Sequence, residues 1–106
     1  MQHVVCLVTA PPDRAHAIAT ALVERELVAC VNIVALVHSV YRWQGAVEHD
    51  DESLLVCKTT RPAVAALRDA LAELHPYENF ELVALGIEDG APAYLDWIAA
   101  SVRLGG

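Results

Sequence analysis

The segment Ala29–Thr60, ACVNIVALVHSVYRWQGAVEHDDESLLVCKTT, decides how the chain folds. It reads as two strands, Ala29–Gln44 and Ala46–Thr60, folded back on each other at Gly45. Each arm holds about fifteen residues, roughly 50 Å if fully extended at ~3.3 Å per residue. A compact domain of this length is only about 33 Å across. A straight ribbon therefore overshoots its own domain, and it must either bend or reach something else.

Outward from the hairpin, Gln2–Thr9 is a strand with Val4, Cys6 and Val8 on one face and Val5 and Leu7 on the other. Pro11 and Pro12 open a helix whose dipole Asp13 complements. Its stripe is Ala15, Ile18, Ala19, Leu22 and Val23, and Glu26-Leu27 close it. After the hairpin, Thr60 is placed to cap a second helix, with Pro62 in the first turn and a stripe of Val64, Leu67, Leu71 and Leu74. Pro76 ends it, because a residue before proline is pushed out of helical geometry. Phe80–Ile87 is the next strand, Asp89-Gly90 a turn, and Pro92 opens a last helix with Tyr94, Leu95, Trp97, Ile98 and Val102. Arg103 suits that helix's C-terminus, and Gly105-Gly106 trail off.

The order β-α-β-β-α-β-α predicts an α+β fold, a ferredoxin-like βαββαβ sandwich with a long hairpin and an extra C-terminal helix, as one domain over residues 1–106. Two helices cover one face of such a sheet. Yet Val4–Val8, Val31–Val37, Leu54–Cys57 and Leu82–Leu85 are apolar on both faces, where a sheet with one wet side would alternate. One short helix is left to cover the second face, so other copies of the chain are expected to complete it. The 56% hydrophobic content points the same way.

The formal net charge of −7 disfavours nucleic-acid binding, and there is no aromatic–basic strand motif of the RNA-binding kind. No apolar run is long enough for a membrane span, and the first residues lack the basic and apolar regions of a signal peptide, so a cytoplasmic location is expected. Cys6, Cys30 and Cys57 form no Cys-x-x-Cys pair and read as free thiols in a reducing compartment. No nucleophile elbow and no phosphate-cradling glycine loop are present.

Three groups carry candidate chemistry. His75, Tyr77 and Glu78 share a tight loop, where an imidazole and a carboxylate suit a borderline divalent ion such as Cu²⁺; the competing reading is a helix cap and an interface contact. Cys30 and Asn32 lie on one strand face, and a thiolate there is a soft-metal ligand only if a second sulfur or imidazole converges on it. Lys58 ends an apolar run and is expected to pair with a carboxylate such as Glu78 of a neighbouring subunit. With Asn32, Tyr41, Trp43, Tyr77 and Glu78 it would line an inter-subunit ligand cleft. The alternative is a small enzyme using Lys58, His75 and Tyr77 as acid/base groups. Glu48-His49-Asp50-Asp51-Glu52 reads as a solvated hairpin end that guards an edge.

The blocks Thr9-Ala10-Pro11, Ala29-Cys30-Val31-Asn32-Ile33, Ser39-Val40-Tyr41-Arg42-Trp43-Gln44-Gly45, Lys58-Thr59, His75-Pro76-Tyr77-Glu78 and Pro92-Ala93-Tyr94-Leu95-Asp96-Trp97-Ile98 occur in that order. Together they resemble the CutA family of divalent-cation-tolerance proteins over nearly the whole chain. The resemblance implies a non-catalytic homotrimer similar to the PII signalling proteins, with sheets meeting around a threefold axis and the hairpin supplying inter-subunit strand contacts. It implies a role in tolerance of divalent ions, copper among them. The chain departs from the family pattern where Ala35-Leu36 replaces a frequent Pro-Gly, and where Val8 and Leu74 occupy positions that carry Cys and His in copper-binding members.

Overall fold

The computed structural model describes residues 2–103. Its elements are β1 (His3–Ala10), α1 (Pro12–Glu24), β2 (Cys30–Trp43), β3 (Ala46–Thr60), α2 (Val64–Leu74, entered through a 3₁₀ turn at Arg61–Ala63), β4 (Val83–Gly86) and α3 (Pro92–Ser101). The strands form one antiparallel sheet in the order β2-β3-β1-β4. This is the α+β, split-βαβ arrangement that the element order predicts. Gly105-Gly106 lie outside the described residues.

The core sits between one face of the sheet and α1 and α2. Val4, Cys6, Val8 and Ala10 of β1 alternate inward, and Leu55 and Cys57 of β3 share their face. Ile18 and Leu22 of α1 and Leu67 and Leu71 of α2 close over them. Burial pushes the Cys57 thiol up to about 12, with Cys6 and Cys30 adding to the shift. Both inner thiols therefore stay protonated and serve as small apolar core groups.

Helix ends follow local chemistry. Glu26 adopts φ 59°, its N–H reaches the Val23 carbonyl and the Leu27 N–H reaches that of Leu22, the two bonds of a Schellman end. Thr60 precedes α2 in extended geometry, but its hydroxyl makes no capping bond, contrary to expectation. The hydroxyl is buried beneath the α3 end of the sheet, opposite His3. The predicted strand Phe80–Ile87 is shortened to Val83–Gly86. Phe80 stacks on His75 with centroids 5.4 Å apart, which draws the chain ahead of β4 off the line of β1. Asp89-Gly90 forms no regular turn; the Asp89 carboxylate accepts the Gly90 N–H at 2.8 Å in an irregular connection.

The hairpin both bends and reaches. Gln44 and Gly45 have φ 50° and 82°, the paired positive values of a two-residue type I′ turn, closed by Trp43 opposite Ala46. The register runs evenly from Cys30↔Lys58 to Val34↔Leu54, then resumes at Val37↔Glu52. One extra residue on β2 at Ala35-Leu36 makes a β-bulge, which bends a strand and increases its twist without glycine or proline. The Ser53 hydroxyl donates to the Ala35 carbonyl at 2.8 Å, satisfying a group that the bulge takes out of the ladder. Beyond this point the ribbon leaves β1 behind, since β1 ends at the Ala10↔Ser53 pair. The resulting principal extents are 44 × 26 × 22 Å.

The second face is apolar and only partly covered. Val5, Leu7, Leu54, Val56, Val34, Val83 and Leu85 share it by register. Val34, Val83 and Leu85 are 44–51% exposed. α3 covers only the end near Thr60, where Ile98 and Val102 pack with Ala29 and Ala63.

Candidate functional site

His75 terminates α2 with an extended backbone, as the following Pro76 requires. It is 6% exposed, and its ring joins the end of α2 to the end of β1. Nδ1 accepts the Tyr77 N–H at 3.1 Å, so the ring proton resides on Nε2, which donates to the Thr9 carbonyl at 2.8 Å. Tyr77 and Phe80 flank the ring. Both nitrogens are thus engaged, and ligation by His75 requires breaking one of these bonds. The copper positions of the family offer Val8, fully buried in the core, and Leu74, neither of which has a donor atom. Among the described residues, no three His, Cys, Asp or Glu side chains converge in a metal-holding group. Val8 and Leu74 leave the copper site that the resemblance implies without two of its donors.

The residues expected to share one cleft fall into two groups within the chain. At the Thr60 end of the second face, Cys30 lies opposite Lys58, and Asn32 accepts from both: from the Cys30 thiol at 3.7 Å and from the Lys58 ammonium. Lys58 therefore rests on a neutral amide and makes no ion pair with Glu78 of its own chain. Tyr94 of α3 completes this group; partial desolvation and the adjacent Cys30 raise its phenol.

The second group lies past the end of β1, where the free ribbon and the segment ahead of β4 leave a groove of about 1340 Å³. Tyr41, Trp43, Tyr77 and Glu78 line it, and Asp50, Glu52 and Glu81 join them. Tyr41 donates its hydroxyl to the Asp50 carboxylate, and this bond is the main cause that pushes its phenol up to about 12. Glu52, expected at a solvated end, is only 7% exposed. By alternation it shares the face of Leu54 and Val56, one residue past the Ala10↔Ser53 pair where β1 ends, and Tyr77 reaches it there. Desolvation, then the charges of Glu52 and Asp50, raise the Tyr77 phenol; desolvation, then Glu52, raise the Glu81 carboxyl. The remainder of the acidic run is exposed, with Asp51 paired to His38 at 2.6 Å.

Sequence reasoning missed Glu52, Glu81 and Tyr94. Alternation along β3 puts Glu52 on the Asp50–Glu48 face, but the charge run masked that periodicity. No local signal marks Tyr94, because its place depends on where α3 folds.

No helix among the described residues is long and apolar enough to cross a membrane. The family described as CutA1 divalent ion tolerance protein matches residues 4–101. A divalent-cation tolerance protein CutA of Thermus thermophilus is 50% identical over 95 residues, covering 89% of this chain and 92% of that one. Its solved structure superposes with a TM-score of 0.93, covering 95% of this chain and 99% of that chain at 47% identity. A PII-like protein CutA from Nostoc gives 0.89 at 34% identity, covering 98% and 99%. A CutA homolog of Xenopus laevis is 47% identical over 92 residues, but this chain spans only 61% of its length and 86% of its own. The sequence blocks, the sheet order and these likenesses agree: the chain belongs to the CutA1 divalent ion tolerance family.

Proposed function

We propose that the protein acts as a non-catalytic homotrimer in the response to divalent metal ions, a PII-like scaffold with a ligand cleft rather than a copper carrier. The observation that carries this reading is the second face of the sheet. Val34, Val83 and Leu85 stand about half exposed beside half-buried Leu7, Leu54 and Val56, and β2 and β4 both present open edges. An apolar face of this extent on a single chain is the mark of a protein interface. Cyclic assembly buries the face and places the free ribbon of one copy against its neighbours. The relatives' names as divalent-cation tolerance proteins, and the PII-like description of the Nostoc structure, support the metal-response and signalling aspects.

The occupied nitrogens of His75 and the apolar Val8 and Leu74 favour a scaffold over sequestration. An enzyme built on Lys58, His75 and Tyr77 gains no support, because Lys58 lies opposite Val5 while His75 meets Thr9, at the other end of β1. The test is calorimetric titration of Cu²⁺ and other divalent ions into wild type and His75→Ala. The expected result is no saturable Cu²⁺ binding tighter than ~100 µM, roughly 5.5 kcal/mol of binding free energy. Tighter binding that is lost in His75→Ala would make sequestration the function instead. If the ribbon clamps neighbouring copies, Trp43→Ala weakens assembly in a dilution series followed by light scattering; an unchanged mass at every dilution counts against the clamp.

A further inference from the structure

Cys30 and Lys58 are strand partners in the first pair of the β2–β3 ladder, so their side chains leave the sheet side by side on its second face. Residues so placed hold their Cβ atoms about 4.5–5.5 Å apart. One acceptor gathers both functional groups: the Cys30 thiol donates to Asn32 Oδ1 at 3.7 Å, and the Lys58 ammonium donates to the same oxygen. Lys58 is the only lysine in the sequence, and it enters no ion pair among the described residues.

Cys30 differs from the other two cysteines. Cys6 and Cys57 are fully buried opposite each other on the inner face, where desolvation raises both thiols. Cys30 is half-buried and projects from the other face, so the sheet separates it from both. An oxidised Cys30 therefore has no resolving thiol in its own chain, and the nucleophile beside it is the Lys58 amine. A sulfenic acid condenses with a thiol to a disulfide, or with a nitrogen to a sulfenamide.

We propose that Cys30 and Lys58 form a reversible oxidative modification site, a sulfenamide bridge between β2 and β3. Hydrogen peroxide oxidises the Cys30 sulfur by two electrons, giving the sulfenic acid and one water. The unprotonated Lys58 amine then attacks that sulfur. An S–N bond forms, the S–O bond breaks, and the hydroxyl leaves with an amine proton as a second water. A thiol reductant returns the Cys30 thiol and the Lys58 amine, becoming a disulfide itself. The bridge removes a thiol and a cation from this group and ties the start of β2 to the end of β3. It depends neither on the trimer nor on the ligand cleft.

Peroxide treatment of the native protein, followed by intact mass spectrometry and peptide mapping, tests it. The expected product is a single chain two hydrogens lighter, with the Cys30 and Lys58 peptides joined and then released by dithiothreitol. Lys58→Arg keeps the charge and should lose the bridge, leaving a Cys30 sulfenic acid that dimedone labels. Cys30→Ser should lose both the bridge and the label. Mapping of the wild-type chain decides the bond even where a variant fails to fold. The proposal is overturned if Cys30 stays unmodified, or if dimedone labels it equally in wild type and Lys58→Arg. A mass loss that survives in Cys30→Ser also overturns it, since the bond then joins Cys6 to Cys57. So does a doubled mass, which would pair Cys30 with a second copy.

Discussion

The two halves of the hairpin share one ribbon, yet they live in different physical settings. The near half, Cys30–Val34 paired with Leu54–Lys58, lies beside β1, and its inner residues Leu55 and Cys57 are fully buried beneath α1 and α2. The far half, Val37–Trp43 paired with Ala46–Glu52, has no third strand and no helix behind it. Val40 and Val47 there are 63% and 56% exposed. Strand propensity and alternation are alike in both. What differs is the layer behind the ribbon: the near half is held by the chain's own core and the far half is not.

That contrast predicts a graded set of responses to substitution, read by urea denaturation at one protein concentration. Leu55→Ala should cost ~2–5 kcal/mol, while Val47→Ala should stay within about 0.5 kcal/mol. Equal losses would break the distinction. Ser53→Ala, at the junction, leaves the Ala35 carbonyl without its donor and should cost about 1–3 kcal/mol. Faster hydrogen exchange confined to the bulge should accompany it; exchange speeding up uniformly across the sheet would assign the loss to the core instead. Gly45→Ala forces a side chain into φ 82° with nothing crowding the added carbon, so only backbone strain remains, about 1 kcal/mol. A neutral result would show that the tip is free to change its turn.

The smallest effect is electrostatic. The bond to Asp50 holds Tyr41 neutral up to about 12, so its contribution is fully present below the ordinary tyrosine value of 10 and is lost as pH rises through about 12. Asp50→Asn should return the Tyr41 midpoint toward 10 in an ultraviolet absorbance titration, with Tyr41→Phe identifying the phenol. A midpoint that stays near 12 would contradict the pairing on the free ribbon.

Much of the fold is legible in the sequence because its signals are local. Pro12, Pro62 and Pro92 open helices, Pro76 closes one, and the apolar stripes of α1 and α2 are those that pack. The bulge was not legible, because Ala35-Leu36 carries no bend residue. It arises from a register mismatch that Ser53, eighteen residues away, stabilises across the ribbon. The site was half legible for a related reason. Tyr41, Trp43, Tyr77 and Glu78 announce themselves as polar aromatics and charges beside turns. Glu52 becomes distinctive only when β1 ends one pair earlier, at Ser53, and Lys58 separates from His75 only once the strands are laid side by side. Contacts between distant segments decide those features, and composition does not encode them.

Val34, Val83 and Leu85 stand exposed on the second face of the sheet, and assembly of three copies would cover them. Sedimentation equilibrium at micromolar concentration measures this directly. The account predicts one species of three times the 11.5 kDa chain mass. A species of 11.5 kDa, unchanged on concentration, would contradict it.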